Sequence, residues 1–138
     1  MSHGPRLSAP HLLVVDADPT SRTEVAAMLV AQGARVTTAG GADEALRHVT
    51  SRRFDAVVVD HALPGVGGVV VVAQLRCVGN GRDLPAVVLH GLAPGAERER
   101  AAGRATRLPG VAFIGRPVTG AALASAVNRL TAAARLDD

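Results

Sequence analysis

The sequence predicts an α/β fold in which helices cover both faces of a five-stranded parallel sheet. Short apolar runs alternate with segments of helical periodicity five times along the 138 residues, as is typical of strand–helix units that build a parallel sheet. The runs are continuously apolar, as expected for strands buried on both faces. A chain of this length is expected to form one domain. We place that domain at residues 11–136, after a flexible leader at residues 1–10.

The first strand is expected at residues 11–15, and a helix follows it. Asp18 and Pro19 are typical of a helix start, because an acidic side chain caps the first amides and proline fits the first turn. Gly33 is a natural C-terminal stop for this helix. The next elements are a strand at 34–39, a helix at 42–52 and a strand at 56–59.

Local preference and context disagree at the third helix. Residues 69–72 are four consecutive valines, and β-branched side chains prefer strands. A helix is nevertheless expected here, because two parallel strands need a crossover connection between them. The remaining strands are expected at 85–89 and 111–114, with helices at 95–104 and from Thr119 onwards.

The composition excludes several classes of protein. The longest apolar run, residues 25–31, is far shorter than the roughly 20 residues that a membrane helix needs. The single cysteine, Cys77, excludes a disulfide framework and a thiolate zinc site and is typical of a reducing cytosol. We expect Cys77 to be a small core residue. All 15 basic residues are arginine and the net charge is +3, an ordinary value that does not indicate a nucleic-acid partner.

Polar side chains follow the predicted strands. In parallel α/β sheets the functional site lies at the carboxyl ends of the strands, where the strand order reverses. The residues at these ends are Asp16, Asp18, Asp60, His61, His90 and Arg116. The two histidines and the carboxylates suit a transition-metal site, but the adjacent Asp60 and His61 are expected to point to different sides.

Three motifs at these positions resemble the receiver domain of bacterial response regulators, over residues 11–136. The segment Phe54-Asp-Ala-Val-Val-Val-Asp-His-Ala-Leu-Pro-Gly-Val-Gly-Gly68 is similar to the family's phosphoacceptor stretch, Leu-Leu-Val-Val-Asp16-Ala-Asp-Pro19 to its acidic start, and Phe113-Ile-Gly-Arg-Pro117 to its lysine–proline motif. The resemblance implies a flavodoxin-like (βα)5 fold with strand order 2-1-3-4-5. It also implies a signalling module rather than an enzyme, with Asp60 as the nominal acceptor of a phosphoryl group.

The resemblance implies a Mg²⁺ site as well. In the family, two acids after the first strand, the phosphoacceptor and one backbone carbonyl bind Mg²⁺, which prefers oxygen ligands. The matching groups are Asp16, Asp60 and the backbone carbonyl of Ala62, while the second acid falls at Ala17. Asp18 is a candidate replacement for that missing ligand.

Two further positions depart from the family pattern. The family lysine falls at Arg116 and the family switch serine or threonine at His90. The planar fork of Arg116 could pair with both oxygens of Asp60 in place of a metal and a phosphoryl group. We therefore expect Mg²⁺ binding and phosphorylation to be weak or absent.

The implied partners are a sensor histidine kinase or another signalling protein, and an output protein or domain that binds the 95–136 face. We expect a cytoplasmic protein that binds neither membrane nor nucleic acid directly; a homodimer is a further option. Two alternatives stay open. One is a phosphorylation-independent pseudo-receiver that serves dimerisation or interaction. The other is a small flavodoxin-like binder of nucleotide or flavin, which rests on fold analogy alone.

Overall fold

The computed structural model describes residues 9–91 and 108–136. Five strands are present: β1 (His11–Val15), β2 (Arg35–Ala39), β3 (Ala56–Asp60), β4 (Ala86–His90) and β5 (Val111–Gly115). Four helices connect or follow them: α1 (Pro19–Ala31), α2 (Ala42–Ser51), α3 (Gly68–Leu75) and α4 (Gly120–Leu136), with a short 3₁₀ turn at Gly79–Gly81. The helix expected at residues 95–104 lies outside the described residues.

The strands form one sheet in the order β2-β1-β3-β4-β5, and every pairing is parallel. This confirms the predicted fold class and strand order. The carboxyl ends of β1 and β3 are adjacent because these strands pair directly, with Val15 opposite Val59. β4 lies on the other side of β3 and carries β5 at the sheet edge.

Two apolar clusters cover the two faces of the sheet. Alternate strand residues face opposite sides, so each strand contributes to both clusters. Leu13, Val57 and Val88 pack with residues of α2 and α3 on one face. On the other face, Leu12, Val58 and Val87 pack with residues of α1 and α4. Because side chains alternate, the cluster to which a strand residue belongs shows on which face the polar residue two positions later starts.

The valine-rich segment is helical, as the context predicted and local preference did not. Within α3, Val69, Val71, Val72 and Leu75 are buried, and Val70 is the one valine of the four that is exposed. Burial of a valine or leucine side chain contributes about 1.5–3 kcal/mol. The helix preference of valine costs at most about 0.7 kcal/mol per residue. Packing against the sheet therefore outweighs the local preference.

One expectation about the same region is wrong. Cys77 is exposed rather than a small core residue. The helix ends at Leu75 and Arg76 is its C-terminal cap, so Cys77 lies beyond the last buried turn. Its Sγ contacts the carbonyl oxygen of Ala73 at 3.3 Å. Across the described residues, no helix combines the length and the apolar character that a membrane crossing requires.

Gly81 and Arg76 make close contacts where the chain leaves α3. Gly81 lies so close to Leu75 that an added Cβ would stand 1.9 Å from the Leu75 carbonyl oxygen. The Arg76 side chain donates from Nε and Nη2 to the carbonyl oxygen of Leu84, at 3.0 and 2.8 Å. Its Nη2 also donates to the carbonyl oxygen of Gly110, at 3.3 Å. These contacts fasten the end of α3 to the segments that enter β4 and β5.

Candidate functional site

Three charged side chains from three strands meet at the carboxyl edge of the sheet. Asp16, Asp60 and Arg116 each lie two residues after a member of the cluster that α1 and α4 cover. Because side chains alternate along a strand, all three start from the same face. Arg116 follows the sheet-edge strand β5, and its long side chain reaches back to the ends of β1 and β3.

A single nitrogen of Arg116 bridges the two carboxylates. Nη2 is 3.3 Å from Oδ2 of Asp16 and 3.2 Å from Oδ1 of Asp60. The side chain of Asp16 is 4% exposed and that of Asp60 is 17% exposed, against 27% for Arg116. The sequence allowed a fork between Arg116 and both oxygens of Asp60. In the structure, one nitrogen lies between two acids instead.

Asp16 is held by protein donors on both of its oxygens. Oδ1 accepts from the backbone N–H of Asp18 at 3.0 Å, and Oδ2 accepts from the hydroxyl of Ser21 at 2.5 Å as well as from Arg116. An ionised carboxylate offers about four lone-pair sites, so these three bonds leave one. The backbone carbonyl of Asp16 also accepts from Arg22 Nη1, at 2.9 Å.

The other expected ligands of the site have local roles. The Oδ1 of Asp18 accepts from the backbone N–H of Thr20 at 3.1 Å and caps α1. The helix start that the sequence predicted is therefore present, with Pro19 in the first turn. Ala62 lies beside the phosphoacceptor position, since its N–H donates to Oδ2 of Asp60 at 3.3 Å.

His90 contacts β5 instead of the bridged acids. Its Nδ1 lies 3.3 Å from the carbonyl oxygen of Gly91. Its ring centroid lies 6.1 Å from that of Phe113. The Cε1 atom would be 3.1 Å from a Cβ at Gly115. Val88, two residues earlier, belongs to the cluster that α2 and α3 cover, so alternation along β4 starts His90 on the face opposite to Asp60.

The described residues do not fit a Mg²⁺ ion. Within residues 9–91 and 108–136, no three His, Cys, Asp or Glu side chains are grouped so that they could hold a metal. Mg²⁺ needs near-ideal octahedral oxygen geometry, and Ala17 supplies no side-chain oxygen. The guanidinium already places one positive charge between the two acids, and that charge would repel a cation placed beside it. The same finding gives no support to the transition-metal alternative.

Comparison with known proteins identifies the fold and its family together. Residues 12–128 match the family model described as the response regulator receiver domain. The chain belongs to this family. The motifs that suggested the resemblance therefore belong to a receiver domain, a signalling module of two-component systems. Receiver domains work with histidine kinases and output domains, and they bind Mg²⁺ in their active site.

Two curated relatives are longer than this chain. Transcriptional regulatory protein PrrA of Mycobacterium leprae is 41% identical over 83 residues, which cover 60% of this chain and 35% of PrrA. Sensory/regulatory protein RpfC of Xanthomonas campestris is 30% identical over an alignment that covers 98% of this chain and 18% of RpfC. This receiver domain thus spans about a third of the first of these relatives and less of the second.

Solved receiver structures share the fold. A receiver domain from Clostridium thermocellum superposes with a TM-score of 0.81 at 21% identity, covering 94% of this chain and 99% of the other. The receiver domain of the sensor histidine kinase PA1611 from Pseudomonas aeruginosa gives a TM-score of 0.76 at 27% identity, covering 90% and 98%. That PA1611 structure has a magnesium ion coordinated in its active-site cleft.

Two residues of this receiver site, Ser21 and Gly115, were not among the residues that the sequence predicted. Ser21 was not singled out, because a serine in the first turn of a helix is common and no motif includes it. Gly115 lies inside the Phe113–Pro117 motif, which gives it no role of its own. The pairing of β4 with β5 places Gly115 opposite His90, and the same alternation that gathers the acids could have indicated this contact.

Proposed function

We propose that this receiver domain is a signalling module that acts through protein–protein contact, with phosphorylation of Asp60 weak or absent. The bridge that Arg116 Nη2 makes between Asp16 and Asp60 carries the proposal. A divalent cation and a phosphoryl group would have to enter the space between the same two acids. The bridge places the Arg116 guanidinium in that space, so Arg116 would have to move away before either could enter.

The competition between Arg116 and a metal ion favours the arginine. Hydrogen bonds between charged partners contribute about 1.5–3 kcal/mol each, and both of these contacts would be lost on entry of a cation. The cation would regain only part of this, because position 17 is alanine and Asp16 has one lone-pair site left. Asp60 keeps its place as the nominal phosphoacceptor, Arg116 stands at the lysine position and His90 at the switch position.

The domain we propose spans residues 11–136, and its partner is a sensor histidine kinase or another signalling protein. An output protein or domain, or a second copy of the chain, would bind the 95–136 face, of which the structure describes residues 108–136. We propose neither an enzymatic activity nor direct contact with a membrane or with nucleic acid. A cytoplasmic location belongs to it as well, supported by the single, unpaired Cys77.

Acetyl phosphate treatment followed by intact-mass measurement tests the proposal. The wild-type chain is incubated with acetyl phosphate and Mg²⁺, next to a receiver known to accept phosphate. We expect little or no gain of one phosphoryl mass on the wild-type chain. A stoichiometric gain that disappears in Asp60→Asn would overturn the proposal.

A variant that reverses two of the three departures from the family pattern shows whether Ala17 and Arg116 prevent phosphorylation. The double variant Ala17→Asp/Arg116→Lys returns a second acid and a compact cation. We expect it to bind Mg²⁺ more tightly than the wild type in calorimetric titration and to gain the phosphoryl mass. A wild-type affinity for Mg²⁺ equal to that of the double variant would contradict the role given to Arg116.

A further inference from the structure

Oδ2 of Asp16 receives two hydrogen bonds, and only one of them comes from Arg116. The shorter bond is that of the Ser21 hydroxyl, at 2.5 Å against 3.3 Å for Arg116 Nη2. Ser21 is the third residue of α1 and lies outside the motifs that define the family resemblance. An O–H donor to a carboxylate forms a charge-assisted hydrogen bond.

Both oxygens of Asp16 are therefore fixed from the start of α1. The Asp18 N–H holds Oδ1 and the Ser21 hydroxyl holds Oδ2, so rotation of the carboxylate about its last torsion would break one bond or both. Terminal torsions of this kind are otherwise broad. The fixed plane presents the remaining lone pair of Oδ2 to Arg116, 100 positions away in the chain.

Ser21 and Arg116 also face the same groove. A cavity of about 410 Å³ lies between α1 and the segment after β5. Its lining residues include Ser21, Arg116 and Val118, together with Glu24 of α1. The chain of contacts from Ser21 through Asp16 to Arg116 thus joins the two sides of this groove at the edge of the sheet.

We propose that Ser21 is a positioning residue that keeps Arg116 on Asp16 and Asp60. Its hydroxyl orients Oδ2 of Asp16, and this orientation makes Asp16 an acceptor for a guanidinium rather than a ligand for a metal ion. The inference rests on the proposed function only in that both involve the Arg116 bridge. Loss of the hydroxyl frees the carboxylate to turn, and Nη2 loses one of the two acids that restrain it.

Nitrogen-15 NMR of the arginine guanidinium groups measures this restraint directly. Hydrogen-bonded Nη groups rotate slowly and give resolved proton signals, and the Arg116 signals are assigned by their loss in Arg116→Lys. We expect resolved Arg116 Nη signals in the wild type and in Ser21→Thr, which keeps a hydroxyl. In Ser21→Ala we expect these signals to broaden or disappear.

Thr23→Ala is the matched control, because this threonine lies on the same helix with an exposed side chain. It should leave the Arg116 signals unchanged. If Ser21→Ala does not fold, Ser21→Cys keeps a similar volume with a much weaker donor and should give the same loss. Unchanged Arg116 signals in a folded variant without the hydroxyl would overturn the role of Ser21.

The two proposals fail in different ways. A phosphoryl adduct on wild-type Asp60 overturns the proposed function, whatever the NMR signals of Ser21→Ala show. If fast rotation already averages the Arg116 Nη signals in the wild type, Arg116 does not form the bridge, and the role of Ser21 is overturned with it. Resolved wild-type signals that Ser21→Ala leaves intact overturn the role of Ser21 alone.

Discussion

The imidazole of His90 lies against Gly115, its partner across β4 and β5. A Cβ added at Gly115 would meet Cε1 of His90 at 3.1 Å, and the two residues are paired in the parallel ladder. A methyl group at position 115 would therefore press on the ring. The glycine leaves room for a histidine at the position where the family carries a small hydroxyl.

Gly115→Ala is expected to destabilise the chain only while His90 is present. Overpacking of this kind costs about 1–3 kcal/mol, and the tight contact is with a side chain that can move, so about 1 kcal/mol is expected. In a His90→Ala background the same change should be close to neutral. Urea unfolding of the four chains gives the coupling energy, and equal costs in both backgrounds would contradict the contact.

Gly81→Ala is expected to be the more severe glycine change. Its Cβ would lie 1.9 Å from the carbonyl oxygen of Leu75 and 2.8 Å from its carbonyl carbon. Both are backbone atoms that cannot rotate away, so a loss of about 3 kcal/mol is expected. Gly79→Ala is the matched control, because nothing lies within 4 Å of its added Cβ. Equal unfolding midpoints for the two variants would contradict this close approach.

Arg76→Ala should destabilise the chain by about 2 kcal/mol. The change removes three hydrogen bonds to two backbone carbonyls. The carbonyl of the buried Leu84 loses both of its bonds from Arg76, which costs about 1–3 kcal/mol, whereas the Gly110 carbonyl keeps its bond from the Ala86 N–H. Burial lowers the pKa of Arg76 while Asp83 opposes this, but arginine stays charged at ordinary pH. The exposed Arg82 provides a control as Arg82→Ala. An equal loss of stability in Arg82→Ala would mean that removal of a positive charge, and not of these hydrogen bonds, destabilises the chain.

Stability should fall in mild acid through His11. Burial and the nearby Arg35 and Arg52 lower the pKa of His11, with Asp55 opposing them. The folded chain thus binds the proton more weakly than the unfolded one. The stabilisation is complete above the unfolded value of about 6.5 and declines as the pH falls below it.

The variant His11→Gln tests this pH dependence. The free energy of unfolding is measured from pH 7.5 to pH 5.5 for both chains. A shallower decline in the variant is expected, because the titrating ring has been removed. Identical slopes would assign the acid sensitivity to other groups. The contacts of the ring with Thr37 and Phe54 should make the variant less stable at every pH.

The sequence predicted most of the fold because its signals are local. Apolar runs of four or five residues and a capping pair such as Asp18 and Pro19 are visible without any tertiary information. The valines of α3 were the exception, and there the expected crossover gave the right answer. Cys77 was placed in the core wrongly, because the sequence did not reveal that α3 ends two residues before it.

The sequence by itself determined which side chains reach the carboxyl edge. Strand positions and alternation of period two put Asp16, Asp60 and Arg116 at one edge and on one face. The resemblance to the receiver family, rather than this periodicity, showed the departures at Ala17 and His90.

Only the tertiary structure decided what these side chains do there. A flexible arginine 100 positions from Asp16 can form a fork with one acid or bridge two, and the choice depends on distances between strands that no local pattern encodes. Ser21 joined the site for the same reason, since its hydroxyl meets Asp16 only after α1 packs on the sheet. Local periodicity fixes the direction in which a side chain starts, whereas the packing of separate segments fixes where its polar end finds a partner.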